Sequence, residues 1–155
     1  MVIQRWQTLL LLVAAAVMAC FTFMTIGQVT TTDYTFNFTS LGFYQEGVST
    51  DGLPDMVFHT WYFFMLSITT IVLLLIDIFL YKNLRLQKRV CLVSMLFVVA
   101  DATVGGLLGF NGIEGGQIYW STVALCPFIA IFAVTFAYYR MCADYNLLKA
   151  ADRLR

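Results

Sequence analysis

The chain has 155 residues, of which 61% are hydrophobic and only 12% are charged. Soluble domains carry about 25% charged residues, so this composition argues against a soluble protein and favours one domain, residues 1–155, embedded in a membrane. Nine Lys and Arg residues balance nine Asp and Glu residues, which gives no net field for binding nucleic acid.

Four apolar segments are long enough to cross a bilayer as helices, because a hydrocarbon layer of about 30 Å requires roughly 20 helical residues. The runs are continuous rather than alternating, which predicts helices and not the strands of a barrel. The expected fold is therefore an all-α bundle of four transmembrane helices. The expected spans are residues 8–26, 57–81, 90–110 and 118–139.

The basic residues define the expected orientation. The links at 27–56 and 111–117 contain no Lys or Arg. By the positive-inside rule, both termini and the link between spans two and three are cytoplasmic, and residues 140–155 form a cytoplasmic tail. The nine bases are Arg5, Lys82, Arg85, Lys88, Arg89, Arg140, Lys149, Arg153 and Arg155.

The sequence of the outer loop at 27–56 predicts a small extracytoplasmic β-hairpin between helices 1 and 2. In residues 32–40, aromatic and polar residues alternate with the period of two that is typical of a strand. Residues 43–49 are expected to return antiparallel after a turn that begins at Gly42. An isolated hairpin is marginally stable, so its aromatic face must pack either on its own helices or on a partner.

Span two carries polar residues on one stripe. His59, Thr70 and Asp77 fall at nearly the same helical angle. Thr70 is expected at about the depth of Asp101 in span three. Asp77 is expected near the cytoplasmic end, where Lys82 and Arg85 can neutralise it by snorkelling.

Span three carries Asp101 in an otherwise apolar and glycine-rich run. A charged Asp at the centre of a membrane helix costs roughly 2.5–3.5 kcal/mol on insertion scales. Helical spacing places Asp101 on one stripe with Gly105, Gly109 and Gly112. The spacing of Gly105 and Gly109 permits close approach of a second helix, so this stripe is expected to face a packed helix rather than lipid.

Three roles for Asp101 stay open. The first is a structural hydrogen bond to Thr70, a serine or the backbone, with the acid partly or wholly protonated because burial disfavours its charged form. The second is a contact with a partner subunit in the membrane, and the third is a proton or ion relay. An aspartyl dyad with Asp77 is not expected, because the two acids differ in depth by about 10 Å.

The last span and the two termini give further expectations. Pro127 removes a backbone donor and is expected to kink span four. Beyond Arg140, apolar residues at helical spacing predict an amphipathic extension that lies on the inner leaflet or docks on a partner. Arg5 is expected either to pair with Asp152 or Asp144 or to be solvated, since an exposed pair contributes only about 0–1 kcal/mol.

No pattern indicates catalysis, a metal or a cofactor. The chain has one His, which excludes bis-histidine haem ligation and a histidine-rich metal site built from this chain alone. Its four Cys include no C-x-x-C pair. The candidate groups are too few and too scattered for an active site, so we expect a non-enzymatic protein with no small-molecule substrate identified.

Both ends of the chain resemble a known family. The start runs directly into span one and the end closes the tail with a short charged motif. These matching residues are Gln4, Arg5, Gln7, Thr8, Asp152, Arg153 and Arg155. Together with four spans, they resemble domain of unknown function 4293, a family of inner-membrane proteins from Bacteroidota. The resemblance implies a multi-pass protein of a bacterial inner membrane and implies no activity, substrate or cofactor.

These observations favour an accessory or scaffolding subunit of a larger cell-envelope membrane complex. The expected partners are the lipid bilayer and other membrane protein subunits. The alternative is a small transporter or oligomeric channel in which Asp101 relays protons or ions.

Overall fold

The computed structural model describes residues 2–31, 34–46, 56–113 and 115–153. Within these ranges, four helices are long and apolar enough to cross a membrane. They are α1 (Val2–Phe23), α2 (Trp61–Phe79), α3 (Leu84–Asn111) and α4 (Cys126–Arg153).

The helices form an up-and-down bundle. Both α1 and α3 pack against α2 and α4, so helices that follow one another in the chain are neighbours, and α1 and α4 close the bundle. On α3 the buried residues recur every three or four positions, so one stripe faces the core. The opposite faces are exposed and yet apolar, as at Leu96 (62% exposed) and Phe132 (78%). A helix that is apolar all round belongs in a large core or in a membrane.

A small antiparallel sheet closes one end of the bundle, which we call the sheet end. Its strand order is β4-β3-β2-β1-β5. Four strands come from the α1–α2 connection, and β5 comes from the α3–α4 connection. They are β1 (Gly27–Thr30), β2 (Thr35–Phe38), β3 (Gly42–Glu46), β4 (Met56–His59) and β5 (Gln117–Trp120).

The predicted hairpin is present as β2 and β3, which pair from Thr35 with Glu46 to Phe38 with Phe43. The parts of that prediction at 32–33 and 47–49 lie outside the described residues. The sheet is larger than predicted, because β1 and β4 flank the hairpin and β5 pairs with β1. The sequence predicted a hairpin of two strands, whereas the structure contains that hairpin within a larger sheet.

Two predicted spans begin too early. The span predicted from residue 57 starts at Trp61, and the span predicted from residue 118 starts at Cys126 after a 3-10 turn. The strands β4 and β5 occupy the first of these residues, and Thr122–Leu125 form the 3-10 turn. Both strands continue the apolar runs of the helices that follow them, so hydropathy alone does not separate strand from helix.

Pro127 lies at the start of α4 and not within it, where the predicted kink would require it. It is the second residue of a helix that begins at Cys126. The first backbone N–H groups of a helix have no partner within the helix, so a proline there removes no hydrogen bond.

The inner part of the predicted aromatic face packs on the protein's own helices, whereas Tyr34 at its outer end is 56% exposed. The ring of Phe38 stacks on Phe43 of the neighbouring strand at 4.7 Å between centroids and on Phe63 of α2 at 6.3 Å. Phe21 of α1 meets Phe63 edge-on at 5.9 Å. Aromatic pairs of this kind contribute about 0.5–1.5 kcal/mol beyond the apolar area that they bury. We call these four rings the aromatic plug.

Hydrogen bonds in the same region tie the sheet to the helix ends. The hydroxyl of Ser40, in the β2–β3 turn, donates to the backbone oxygen of Thr22 at 2.6 Å. The hydroxyl of Thr60, just before α2, donates to the backbone oxygen of Ser40 at 3.0 Å. The three residues are buried, so these bonds satisfy groups that water does not reach.

Candidate functional site

Buried polar residues follow the interface between α2 and α3, and we call them the polar seam. Their spacing of three, four or seven residues places them on the facing sides of the two helices. The seam consists of Ser67, Thr70 and Asp77 of α2 and of Gln87, Cys91, Ser94 and Asp101 of α3. Leu74 and Val98, both fully buried, divide it into an Asp101 cluster and an Asp77 cluster.

In the Asp101 cluster, α2 binds both oxygens of the carboxyl group. Ser67 donates its hydroxyl to Oδ1 at 3.0 Å, and Thr70 donates its hydroxyl to Oδ2 at 2.5 Å. The hydrogen bond predicted between Asp101 and Thr70 is thus present. The second donor, Ser67, was not identified from the sequence, although it lies three residues before Thr70 and therefore on the same helical face.

The Asp101 cluster is closed towards the sheet end by aromatic rings. A Cβ placed on Gly105 would lie 3.0 Å from Phe63 Cζ and 3.4 Å from Phe21 Cζ. A larger side chain at position 105 would therefore press against the aromatic plug. On the other side, Leu74 and Val98 fill the core. The carboxyl group is enclosed between two apolar layers.

The Asp77 cluster differs in its hydrogen bonding. Both carboxyl oxygens of Asp77 and Oε1 of Gln87 are buried and make no hydrogen bond to described residues. Gln87 Nε2 donates to the backbone oxygen of Asp77 at 3.2 Å, and the Cys91 thiol is the polar group beside the Asp77 carboxyl. The α2–α3 interface thus buries the Asp77 carboxyl group and the Gln87 side-chain oxygen without a hydrogen-bond donor among the described residues.

The predicted neutralisation of Asp77 by Arg85 is wrong. Arg85 is exposed and makes no hydrogen bond to the Asp77 carboxyl, because it points away from the seam at the first turn of α3. The side chain of Lys82, the other predicted partner, lies outside the described part of the chain.

The glycine stripe faces the aromatic plug and the sheet rather than the backbone of a second helix. A Cβ on Gly109 would overlap the rings of Trp120 and the side chain of Ile118 in β5. Gly112 lies one residue beyond the end of α3 and would meet Phe43 of β3. The expectation that the stripe faces a packed helix therefore holds at Gly105, which meets rings of α1 and α2, whereas Gly109 and Gly112 meet the sheet.

His59 does not belong to the polar seam. It is the last residue of β4, it precedes α2, and it is exposed. The prediction that it shares a stripe with Thr70 extended the helical period into a strand, where successive side chains point to opposite faces.

A hydrogen bond joins α1 to α4 at the end of the bundle opposite the sheet. Gln7 Nε2 of α1 donates to Asp144 Oδ2 of α4 at 2.5 Å, and Gln7 is only 2% exposed. Asp144 therefore binds Gln7. Thr8, the residue after Gln7, is half-buried. The side chains of Gln4, Arg5, Asp152 and Arg153, and all of Arg155, lie outside the described residues.

An apolar cavity of about 600 Å³ lies between α3 and α4 near the sheet end. Phe21, Gly106, Phe110 and Phe128 are among the residues that line it. No titratable side chain occurs among its described lining residues. In the described ranges, no group of three or more His, Cys, Asp or Glu residues is arranged to hold a metal ion.

The geometry of the Asp101 cluster fits helix attachment rather than chemistry. A carboxyl group that accepts two hydrogen bonds inside a closed core connects α2 to α3. A general acid or base would need to reach a substrate proton directly or through one water molecule, and two apolar layers lie in the way.

The family model described as "Domain of unknown function (DUF4293)" matches residues 3–154. The match spans all four helices and the sheet, and it confirms the family resemblance carried by the two ends of the chain. Among proteins of curated function, none matches this chain. The family description states no activity, so the functional proposal depends on the structure.

Proposed function

The chain belongs to the DUF4293 family, and we propose that this member is a non-catalytic, multi-pass membrane protein that acts as an accessory or scaffolding subunit of a larger cell-envelope complex. The observation that carries this proposal is the enclosed Asp101 cluster, in which Ser67 and Thr70 bind both carboxyl oxygens. This buried carboxyl group holds α2 and α3 together and is not presented to a substrate.

The exposed apolar faces of the helices support the membrane placement, since water would not tolerate side chains such as Leu96 and Phe132 on all sides of a bundle. The basic residues at the end opposite the sheet support an orientation with both termini in the cytoplasm. The sheet would then lie outside the cytoplasm. The motifs at both chain ends favour the inner membrane of a bacterium of the Bacteroidota.

An edge of the sheet supports the role as a subunit. Among the described strands, β5 lies at one edge of the sheet and pairs with β1. Tyr119 (61% exposed) projects from it. The unpaired edge of a strand offers backbone donors and acceptors to a strand of another protein. A partner that adds a strand here would extend the sheet.

Site-specific photocrosslinking in the source membrane tests this role. A photoreactive amino acid at Tyr119 is expected to capture one larger membrane protein in near-stoichiometric amount, and that protein should also copurify in mild detergent. The same amino acid at Leu96, which is exposed in the middle of α3, serves as the matched control for contacts with lipid. Crosslinks at Tyr119 only to lipid or to the chain itself, with purification of the chain alone, would overturn the subunit role.

The Asp77 cluster favours a second candidate, a small transporter or oligomeric channel. Asp77 and Asp101 lie on one seam, and the Asp77 carboxyl makes no hydrogen bond to described residues. Such unfilled capacity in a membrane helix is a feature of proton and ion pathways. Proton or ion flux into liposomes that contain the protein would support transport, provided that Asp101→Asn and Asp77→Asn abolish it. Flux that both variants leave intact would exclude these acids as relays.

A further inference from the structure

A groove of about 490 Å³ lies between α3 and α4 at the end of the bundle opposite the sheet. Three basic residues of α3 line it, namely Arg85, Lys88 and Arg89. Their spacing of three and four residues places them on one face of the first two turns of the helix. The groove is distinct from the polar seam, which faces α2.

Among the residues that the structure describes, no acidic side chain pairs with the bases of this groove. None of the three bases forms a salt bridge in the part of the chain that the structure describes. The carboxyl group of Asp144 on α4 is bound by Gln7 of α1. The first turn of α3 contains no acidic residue, although the positive end of a helix dipole favours an anion there over three cations. An anion from outside the chain would relieve this repulsion.

One of the bases is held in place within the groove. Lys88 Nζ lies 4.7 Å from the centroid of the Tyr145 ring of α4, and both side chains are half-buried. The cation–π contact fixes the ammonium group between the two helices. The charge of Lys88 is therefore directed into the groove rather than spread over the surface.

The groove changes from basic to apolar along α3. Leu92 (47% exposed) and Val93 (41%) line its deeper part, about 10 Å further along the helix than Arg85. Tyr138 of α4 lines the groove on the opposite side. A ligand that fits both parts needs an anionic head and an apolar chain.

We propose that this groove binds one anionic phospholipid, with its phosphate at Arg85, Lys88 and Arg89 and an acyl chain along Leu92 and Val93. Basic pockets between membrane helices are suited to such headgroups. The inference rests on the membrane placement proposed above and is independent of the accessory role.

Native mass spectrometry of the full-length protein in detergent tests the site. Phosphatidylglycerol and phosphatidylcholine with identical acyl chains are titrated in parallel. We expect one bound phosphatidylglycerol at concentrations at least tenfold below those that give the same occupancy of phosphatidylcholine. In Arg85→Gln/Arg89→Gln, the preference should fall by about tenfold or more, because each base near a membrane surface contributes measurably to binding of an anionic lipid.

The matched control is Arg140→Gln/Lys149→Gln. It removes the same charge from exposed positions of α4 that do not line the groove. We expect it to keep the preference of the unmodified protein. An equal loss in the control variant, or equal binding of the two lipids by the unmodified protein, would overturn the proposal.

Two further experiments distinguish a phospholipid from free phosphate, and a failure of the lipid site from a failure of the membrane placement. Inorganic phosphate that occupies the site at the concentration of the lipid would show an anion site without a lipid chain, and would overturn the assignment to a phospholipid. Flotation of the protein with liposomes tests the membrane placement by itself. Protein that floats but shows no preference for phosphatidylglycerol contradicts only the lipid site, whereas protein that fails to float contradicts the membrane placement.

Discussion

At the scale of single residues, the Thr70 hydroxyl is shared between two hydrogen-bond acceptors. Its hydroxyl lies 2.5 Å from Asp101 Oδ2 and 3.1 Å from the backbone oxygen of Leu66. A hydroxyl has one proton to donate, so it cannot fully satisfy both acceptors. A proton on the Asp101 carboxyl would supply the second donor. Asn, whose amide also donates, is therefore the closest replacement for Asp101, and Ala is a disruptive one.

The neighbouring threonines of α2 provide a matched pair. Thr70→Val removes a donor from the buried Asp101 carboxyl and is expected to lower the free energy of unfolding by about 0.5–2 kcal/mol. Thr69→Val makes the same chemical change at an exposed position whose hydroxyl bonds only its own helix, and should be neutral. Unfolding in mixed micelles, followed by tryptophan fluorescence, measures both. Equal effects of the two substitutions would show that the bond to Asp101 contributes nothing specific.

At the scale of elements, the junction between α3 and the aromatic plug depends on adjacent glycines with different surroundings. Gly105 lies against Phe63 and Phe21, whereas nothing is within 4 Å of a Cβ built on Gly106. Phe63 is fully buried and stacked on Phe38, so it has little room to move. The same backbone segment is therefore tightly packed on one side and open to the apolar cavity on the other.

Replacing each of these glycines by Ala separates packing from helix propensity. Gly106→Ala is expected to stabilise the protein by about 0.5–1 kcal/mol, because Ala favours the helix and meets no neighbour. Gly105→Ala gains the same propensity but forces the plug to shift, which costs about 1–3 kcal/mol. The melting temperature of the two variants in detergent should move in opposite directions. A stabilised Gly105→Ala protein would contradict the close packing of the plug.

The elements also show where sequence patterns lose resolution. The alternation of aromatic residues predicted the β2–β3 hairpin, and the length of the continuous apolar runs predicted the four helices. The strands β4 and β5 were predicted as helix because each has only four residues and adjoins an apolar helix. Their identity depends on pairing with β3 and β1, which lie elsewhere in the chain.

At the scale of the whole molecule, charge and sheet lie at opposite ends of the bundle. The three bases of the groove lie at the start of α3, and β5 follows the end of α3. The length of α3 therefore separates a basic end from an aromatic end. In a membrane this polarity would fix a single orientation.

Cysteine labelling tests that orientation. In a background with the other cysteines replaced by Ser, Tyr119→Cys at the sheet end is expected to react with a membrane-impermeant maleimide in intact spheroplasts. Native Cys142, near the basic end and half-buried, is expected to react only after the membrane is permeabilised. The reverse pattern would contradict the proposed orientation, and labelling of both in intact cells would contradict spanning by α4.

The sequence by itself determined the four apolar helices, the basic end and the equal depth of Asp101 and Thr70. Each of these follows from the regular period of a helix and from composition along a continuous segment. The family resemblance at the two ends was visible for the same reason, since it depends on short local motifs.

Only the tertiary structure decided which distant segments meet. The fifth strand joins β1 across most of the chain, Gln7 binds Asp144, and the groove with its three bases exists only where α3 lies beside α4. Side-chain spacing fixes which face of a helix a residue occupies, but it carries no information on what packs there. For that reason the glycine stripe was found in the sequence, and its aromatic partners were found in the fold.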